Sequence, residues 1–224
     1  AKSLLLSLRN VGYMTKIGFA TFIAEIAMGV MMVTGNYMFM RFLGEDGVAA
    51  FSIGCYLFPI LFSVNNAVAQ SAQPIISYNF GARNFERVKA VLRTSLAAAG
   101  ICGIIITLVM WLGAPLLVSV FISPDAAAFG IALKGLPLLG LCAIFFALNI
   151  TFIGYYQSCE KATQAILYML LRGVFFIVPI FIILPHIIGI DGLWLSLPVS
   201  ESLTLLVIIT AYLLRHRRHR TAAH

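Results

Sequence analysis

The chain alternates long apolar runs with short polar breaks. A helix needs about 20 apolar residues to cross the hydrocarbon core of a bilayer. Six runs approach or exceed that length, at residues 17–40, 48–70, 96–112, 133–156, 163–184 and 192–214. Backbone groups in lipid must be satisfied internally, so each run is predicted to be helical. The second can continue helically towards Ile76, and an apolar stretch at 116–122 can carry the third past Pro115. Pro59, Pro179 and Pro198 fall inside runs and predict kinks, which membrane bundles tolerate. The pattern is that of an all-α integral membrane protein, a bundle of six transmembrane helices.

Composition strengthens that reading. The chain is 61% hydrophobic and 10% charged, against roughly 45–50% and about 25% in soluble domains. Its mean hydropathy is +1.00. The net charge of +7 could suggest nucleic acid, but its placement argues against that partner. Of the 15 lysines and arginines, all but Arg41, Lys134 and Arg172 fall on one side of the bundle. They occupy the N-terminal segment (Lys2, Arg9, Lys16), the second break (Arg83, Arg87, Lys89, Arg93), the fourth break (Lys161) and the tail (Arg215, Arg217, Arg218, Arg220). Basic loops stay cytoplasmic and attract anionic lipid. The expected organisation is a cytoplasmic segment at 1–16, a transmembrane lobe at 17–214 and a basic cytoplasmic tail at 215–224. The membrane is the cell inner membrane, with both termini inside.

Other chemistries find little support. Cys55, Cys102, Cys142 and Cys159 stand alone in or beside apolar runs and read as small hydrophobes. His216, His219 and His224 lack metal-ligand spacing, and His186 and Asp191 read as outer-loop residues. Neither HExxH, GxSxG nor an aspartyl dyad occurs in the runs, so no enzyme is expected. Lys2, Arg9 and Lys16 break the N-terminus before any long apolar core, so no cleavable signal peptide is expected. Ala1 need not be the natural start.

The break between the second and third runs carries the most specific string, Gln73-Pro74-Ile75-Ile76-Ser77-Tyr78-Asn79-Phe80-Gly81-Ala82-Arg83-Asn84-Phe85-Glu86-Arg87. Asn79 and Gly81 can end a helix in left-handed conformations. Asn84 can cap a short second helix whose Arg87 and Lys89 face lipid headgroups. Residues 73–92 thus read as a membrane elbow. The string resembles the elbow of the multidrug and toxic compound extrusion (MATE) transporters, with Gln73, Pro74, Ser77, Asn79, Gly81 and Arg87 at its pattern positions. Residues 43–50, 147–161, 170–172 and 189–198 resemble other stretches of that family in the same order. The likeness covers nearly the whole chain and is greatest to the second six-helix half. It implies one lobe of a two-lobe transporter, with a substrate cavity between lobes and either a missing lobe or a second copy as partner. Asn66 stands where the family pattern has glycine.

Polar groups within the runs are the candidate machinery. An acid inside a span is costly and marks a functional site by default. Glu25, eight residues into the first run, suits the uptake and release of a coupling proton, and the resemblance places an acid implicated in coupling on this helix. Glu201 follows Pro198 near the middle of the sixth run, where the proline frees a carbonyl one turn earlier. Arg172 lies about 13 Å into the fifth run at 1.5 Å per residue, at a depth like that of Glu25. A Glu25–Arg172 ion pair is therefore one expectation, and snorkelling of Arg172 another. Asn36, Asn65, Asn66, Gln70, Asn149 and Gln157 can bridge helices by hydrogen bonds. Asn36 and Asn149 are the better pathway candidates; Gln70 and Gln157 can serve structure or pathway. Asn149 stands where some family members carry an acid, which favours the proton over sodium. The implied activity is cation-coupled export of drugs or small organic cations, driven by an ion gradient without a cofactor. A lipid-linked oligosaccharide flippase or a membrane scaffold subunit are the alternatives.

Overall fold

The computed structural model describes residues 8–221. Lys2 and the rest of residues 1–7, with residues 222–224, lie outside the described residues, as do the side chains of Arg9, Lys16 and the four tail arginines. Every element among the described residues is helical.

The first element, α1 (Leu8–Gly81), is a hairpin of two helical arms. Gly44 joins them at φ 66°, ψ −154°, a region open to glycine because it lacks Cβ. Phe39 and Phe51 lie 12 positions apart, which is about 18 Å along a straight helix, yet their rings stack at 4.5 Å. The chain therefore folds back on itself at Gly44. Helix α2 (Phe85–Leu112) follows, then the short α3 (Ala114–Ser119), then α4 (Ala127–Gly140) and α5 (Cys142–Ser158), which form one span broken at Leu141. Helix α6 (Ala162–Leu170) passes through a π-helical segment (Leu171–Phe176) into α7 (Ile177–Ile188), and α8 (Ile190–Thr221) closes the chain.

Five of the described helical stretches are long and apolar enough to cross a membrane. The first, Met28–Gly81, has 54 residues, about 81 Å of rise against a hydrocarbon core of about 30 Å. Its two arms therefore make two passes, and six passes result, in the order the hydropathy pattern predicts.

The details differ from expectation at the ends. Asn79 and Gly81 remain helical, and Asn79 donates its side-chain amide to the Ile75 carbonyl at 2.8 Å. The left-handed residue is Arg83, at φ 56°. Asn84 N–H reaches the Asn79 carbonyl at 2.8 Å and Arg83 N–H the Phe80 carbonyl at 3.0 Å. These two bonds form a Schellman cap. The same pair of bonds recurs at the next turn on this side, with Glu160 at φ 59°. Asn84 does cap, accepting from Arg87 N–H at 3.2 Å; the helix it caps is the whole of α2, not a short separate one. Residues 116–122 do not prolong the third span, because α2 stops at Gly113 and Pro115 opens α3. Pro179 follows the π segment. Proline has no N–H to donate to the residue 175 carbonyl and its ring clashes with that carbonyl in α-helical position, and a widened turn before it removes the clash.

Two apolar clusters hold the bundle. One, around Phe39, Phe51, Phe181 and Trp194, fastens both arms of α1 to α4, α7 and α8 near the Gly44 turn. The other, around Phe152, Tyr156, Tyr168 and Ile208, joins α5, α6 and α8 towards the opposite side. Gly135 lets α4 approach α8 closely, since a Cβ there would overlap the Trp194 indole. Gly135→Ala should lower stability by about 1–3 kcal/mol through overpacking, read as a lower melting temperature in detergent. An unchanged melt would mean that Trp194 has room to move aside.

Candidate functional site

Between the two clusters lies a polar network built on α5, the π segment and α8. Glu201 on α8 is only 3% exposed. A buried carboxylate without partners is strongly unfavourable, and both its oxygens are satisfied. Oε1 accepts Arg172 Nε at 2.9 Å and Arg172 Nη2 at 2.6 Å. Oε2 accepts Asn149 Nδ2 at 2.7 Å, and the same amide also donates to the Glu201 backbone carbonyl at 2.9 Å. The two bonds from one amide fix Glu201 against α5. The Arg172 guanidinium lies over the Phe146 ring, 4.4 Å from its centroid, within the range of a cation–π attraction. Ser200 Oγ donates to the Arg172 carbonyl at 3.3 Å, tying the π segment to α8.

The network forms part of the wall of a cavity of about 240 Å³. Glu25, Met28, Met31, Phe58 and Asn66 line it from α1, and Met169 and Ile150 extend its apolar surface. Its charged lining residues among those described are Glu25, Glu201 and Arg172, two carboxylates to one guanidinium. The cavity lies within this one lobe, whereas the resemblance directed attention to the space between lobes.

The predicted candidates separate into two groups. Glu25, Asn149, Arg172 and Glu201 share the cavity or the network on its wall. Asn36, Gln70 and Gln157 do not. Asn36 is half-buried on the first arm, Gln70 is exposed, and exposed Gln157 accepts from Gln73 Nε2 at 3.3 Å near the elbow. The expected Glu25–Arg172 pair is replaced by Arg172–Glu201. Among the described residues Glu25 makes no ion pair, and its side chain is exposed on the cavity. Depth permits this pair as it did the expected one, and the packing of α8 against the π segment selects it. Glu201 lies nine residues into the sixth run and Arg172 nine into the fifth, and these neighbouring spans run in opposite directions, so both reach the middle of the bundle. Snorkelling is unnecessary where a carboxylate waits at that level.

Apolar cavity residues escaped a search for polar candidates, yet a signal existed. Residues three or four apart share a helical face. Glu25 and Met28, Phe146 and Asn149, Met169 and Arg172, and Leu197 and Glu201 are such pairs, and each includes one of the charged or amide groups described above.

Residues 20–183 match the MatE family model. Over 206 residues the chain is 27% identical to the multidrug export protein MepA of Staphylococcus saprophyticus, covering 90% of this chain and 44% of that protein. MepA of Staphylococcus aureus is 26% identical over 203 residues with the same coverage. The chain thus spans less than half the length of the curated relatives it matches. Among solved structures, a MOP superfamily transporter from Pyrococcus furiosus superposes with a TM-score of 0.87 at 16% identity, over 96% of this chain and 48% of that one. An outward-facing multidrug resistance MATE family transporter superposes equally well, over 97% and 49%. The fold is that of half a MATE transporter, and with residues 20–183 matching the family model the chain belongs to the MATE family.

Proposed function

We propose that the chain is one lobe of a secondary antiporter that exports drugs or small organic cations in exchange for a coupling cation, the proton. The observation that carries this reading is the formal charge of the cavity. Among the described residues two carboxylates face one guanidinium, leaving that lining one positive charge short, with methionines and aromatic rings beside them. Such a surface suits a hydrophobic cation. The relatives' description as multidrug export proteins supports it. A flippase for lipid-linked oligosaccharides is disfavoured, because a pyrophosphate would meet two acids and an arginine already bound to one of them.

Within this reading the carboxylates divide the work. Glu201 is held by Arg172 and Asn149, so Glu25, exposed on the cavity and without an ion pair among the described residues, is the coupling group. A second six-helix unit, either a first lobe or another copy, completes the transporter, since the chain covers 44% of the relatives. The elbow and the basic tail face the cytoplasm, as the positive-inside rule requires.

Three outcomes test these assignments. In everted vesicles carrying this chain with a matching first lobe, Glu25→Gln should abolish gradient-driven ethidium export while leaving the melting temperature unchanged. Arg172→Gln or Glu201→Gln should each destabilise by about 3–5 kcal/mol by stranding a buried charge, and the double variant should recover most of the loss. Retained export in Glu25→Gln would remove Glu25 from the coupling role. Expressed without a partner lobe, residues 1–224 should give no ethidium resistance; robust gradient-dependent export would instead establish a working homodimer.

Orientation is checked by labelling with an impermeant thiol reagent after the native cysteines are replaced. Replacement matters most for half-buried Cys55 and Cys102. Cys159 is protected by its burial, which holds the thiol above its ordinary value. A cysteine at Asp125 should react in intact cells, and one at Arg220 only after permeabilisation. The reverse pattern would invert the topology.

A further inference from the structure

The Arg172 guanidinium rests between a carboxylate and an aromatic face. These are the two surfaces with which proteins hold small organic cations. Here Glu201 supplies the first at 2.6 Å and Phe146 the second at 4.4 Å. Both residues line the cavity, as does Arg172 itself.

Two features distinguish this arrangement from an ion pair that only fastens helices. Glu201 does not depend on Arg172 for its position. Asn149 grips its other oxygen and its carbonyl together, so the carboxylate stays in place when the guanidinium leaves. Arg172 also has somewhere to go and a means of going. Its side chain is 17% exposed against 5% for that of Glu201, and it lies beside open cavity volume. It is carried by the π-helical segment Leu171–Phe176, of which no residue is buried. A π turn holds an extra residue, and such turns recur at functional sites. Passing that extra residue along the helix would turn Arg172 by about 100°, the angle of one residue in a helix of 3.6 per turn. Gly173, the next residue, adds backbone freedom at the point where the turn would occur.

We infer that Arg172 is a tethered competitor: its guanidinium fills the cation subsite formed by Glu201 and Phe146, and a small guanidinium or ammonium substrate binds there by displacing it. This rests on the reading that the cavity takes organic cations, and assigns the groups that select them. Arg172 then sets the threshold for entry. A cation must offer Glu201 and Phe146 a better fit than the chain's own side chain does, so weakly interacting inorganic cations are refused at this position. When substrate leaves, the guanidinium returns, and the carboxylate is never left alone in an apolar bundle.

The test is equilibrium binding of radiolabelled tetraethylammonium and methylguanidinium to the purified chain in detergent, with folding monitored by melting temperature. Arg172→Gln should bind both probes at least about tenfold more tightly than the unmodified chain, because the competitor is gone and a neutral amide remains. Arg172→Lys, which lacks the planar fork, should give a smaller gain of a few-fold; it decides the matter if Arg172→Gln does not fold. Adding Glu201→Gln or Phe146→Leu to Arg172→Gln should reverse the gain. Unchanged or weaker affinity in a folded Arg172→Gln or Arg172→Lys chain would overturn the inference and leave the transport reading standing. If neither the unmodified chain nor any variant binds either probe, the cation reading itself fails, and this inference with it.

Discussion

A carboxylate carried into an apolar helix bundle must bring its partners with it, and this requirement organises the middle of the lobe. Ionised and isolated in low dielectric, Glu201 would cost more than a domain of this size can offset. Both oxygens are therefore met, one by Arg172 and one by Asn149. Those bonds specify more than stability. They set the relative depth of α5, α8 and the π segment, because the three side chains meet only when their helices stand at one level. Packing of leucines and isoleucines alone would tolerate sliding by a turn, but a buried hydrogen-bonded charge tolerates far less.

The spans were legible because lipid imposes a simple rule on sequence, namely a continuous apolar run of sufficient length. Their ends were legible only where a side chain acts locally, as Asn84 does. The cap at Arg83 was hidden, since an arginine in the left-handed region carries no compositional mark and is held there by bonds to the Asn79 and Phe80 carbonyls. The break at Leu141 and the π segment at Leu171–Phe176 were hidden for a related reason. Each lies inside an apolar run, and in the second case Pro179 marks a kink but not the π turn that precedes it.

The candidate site shows the same division. Glu25, Asn149, Arg172 and Glu201 stood out because polar groups in apolar runs are conspicuous. Which of them pair was undetermined, because counting residues gives depth but not the direction a helix face points. Glu25 and Glu201 were both at a suitable level for Arg172, and only the packing of α8 against the π segment selects Glu201. Phe146 was invisible to a polar search, although its ring provides the second surface against which the guanidinium lies.

The aromatic cluster at the Gly44 turn has a mechanical meaning for the whole lobe. Phe39 stacks on Phe51 and meets Trp194 edge-on at 4.8 Å, and Phe181 meets Phe51 edge-on. Both arms of α1, with α7 and α8, are thus clamped at one end of the bundle, and the cavity lies farther along the same helices. The second cluster holds α8 again through Leu205 and Ile208, so this helix is pinned on both sides of Glu201. Glu201 stands on a post fixed at both ends, and tilting or sliding that helix alone cannot carry its carboxylate away from Arg172.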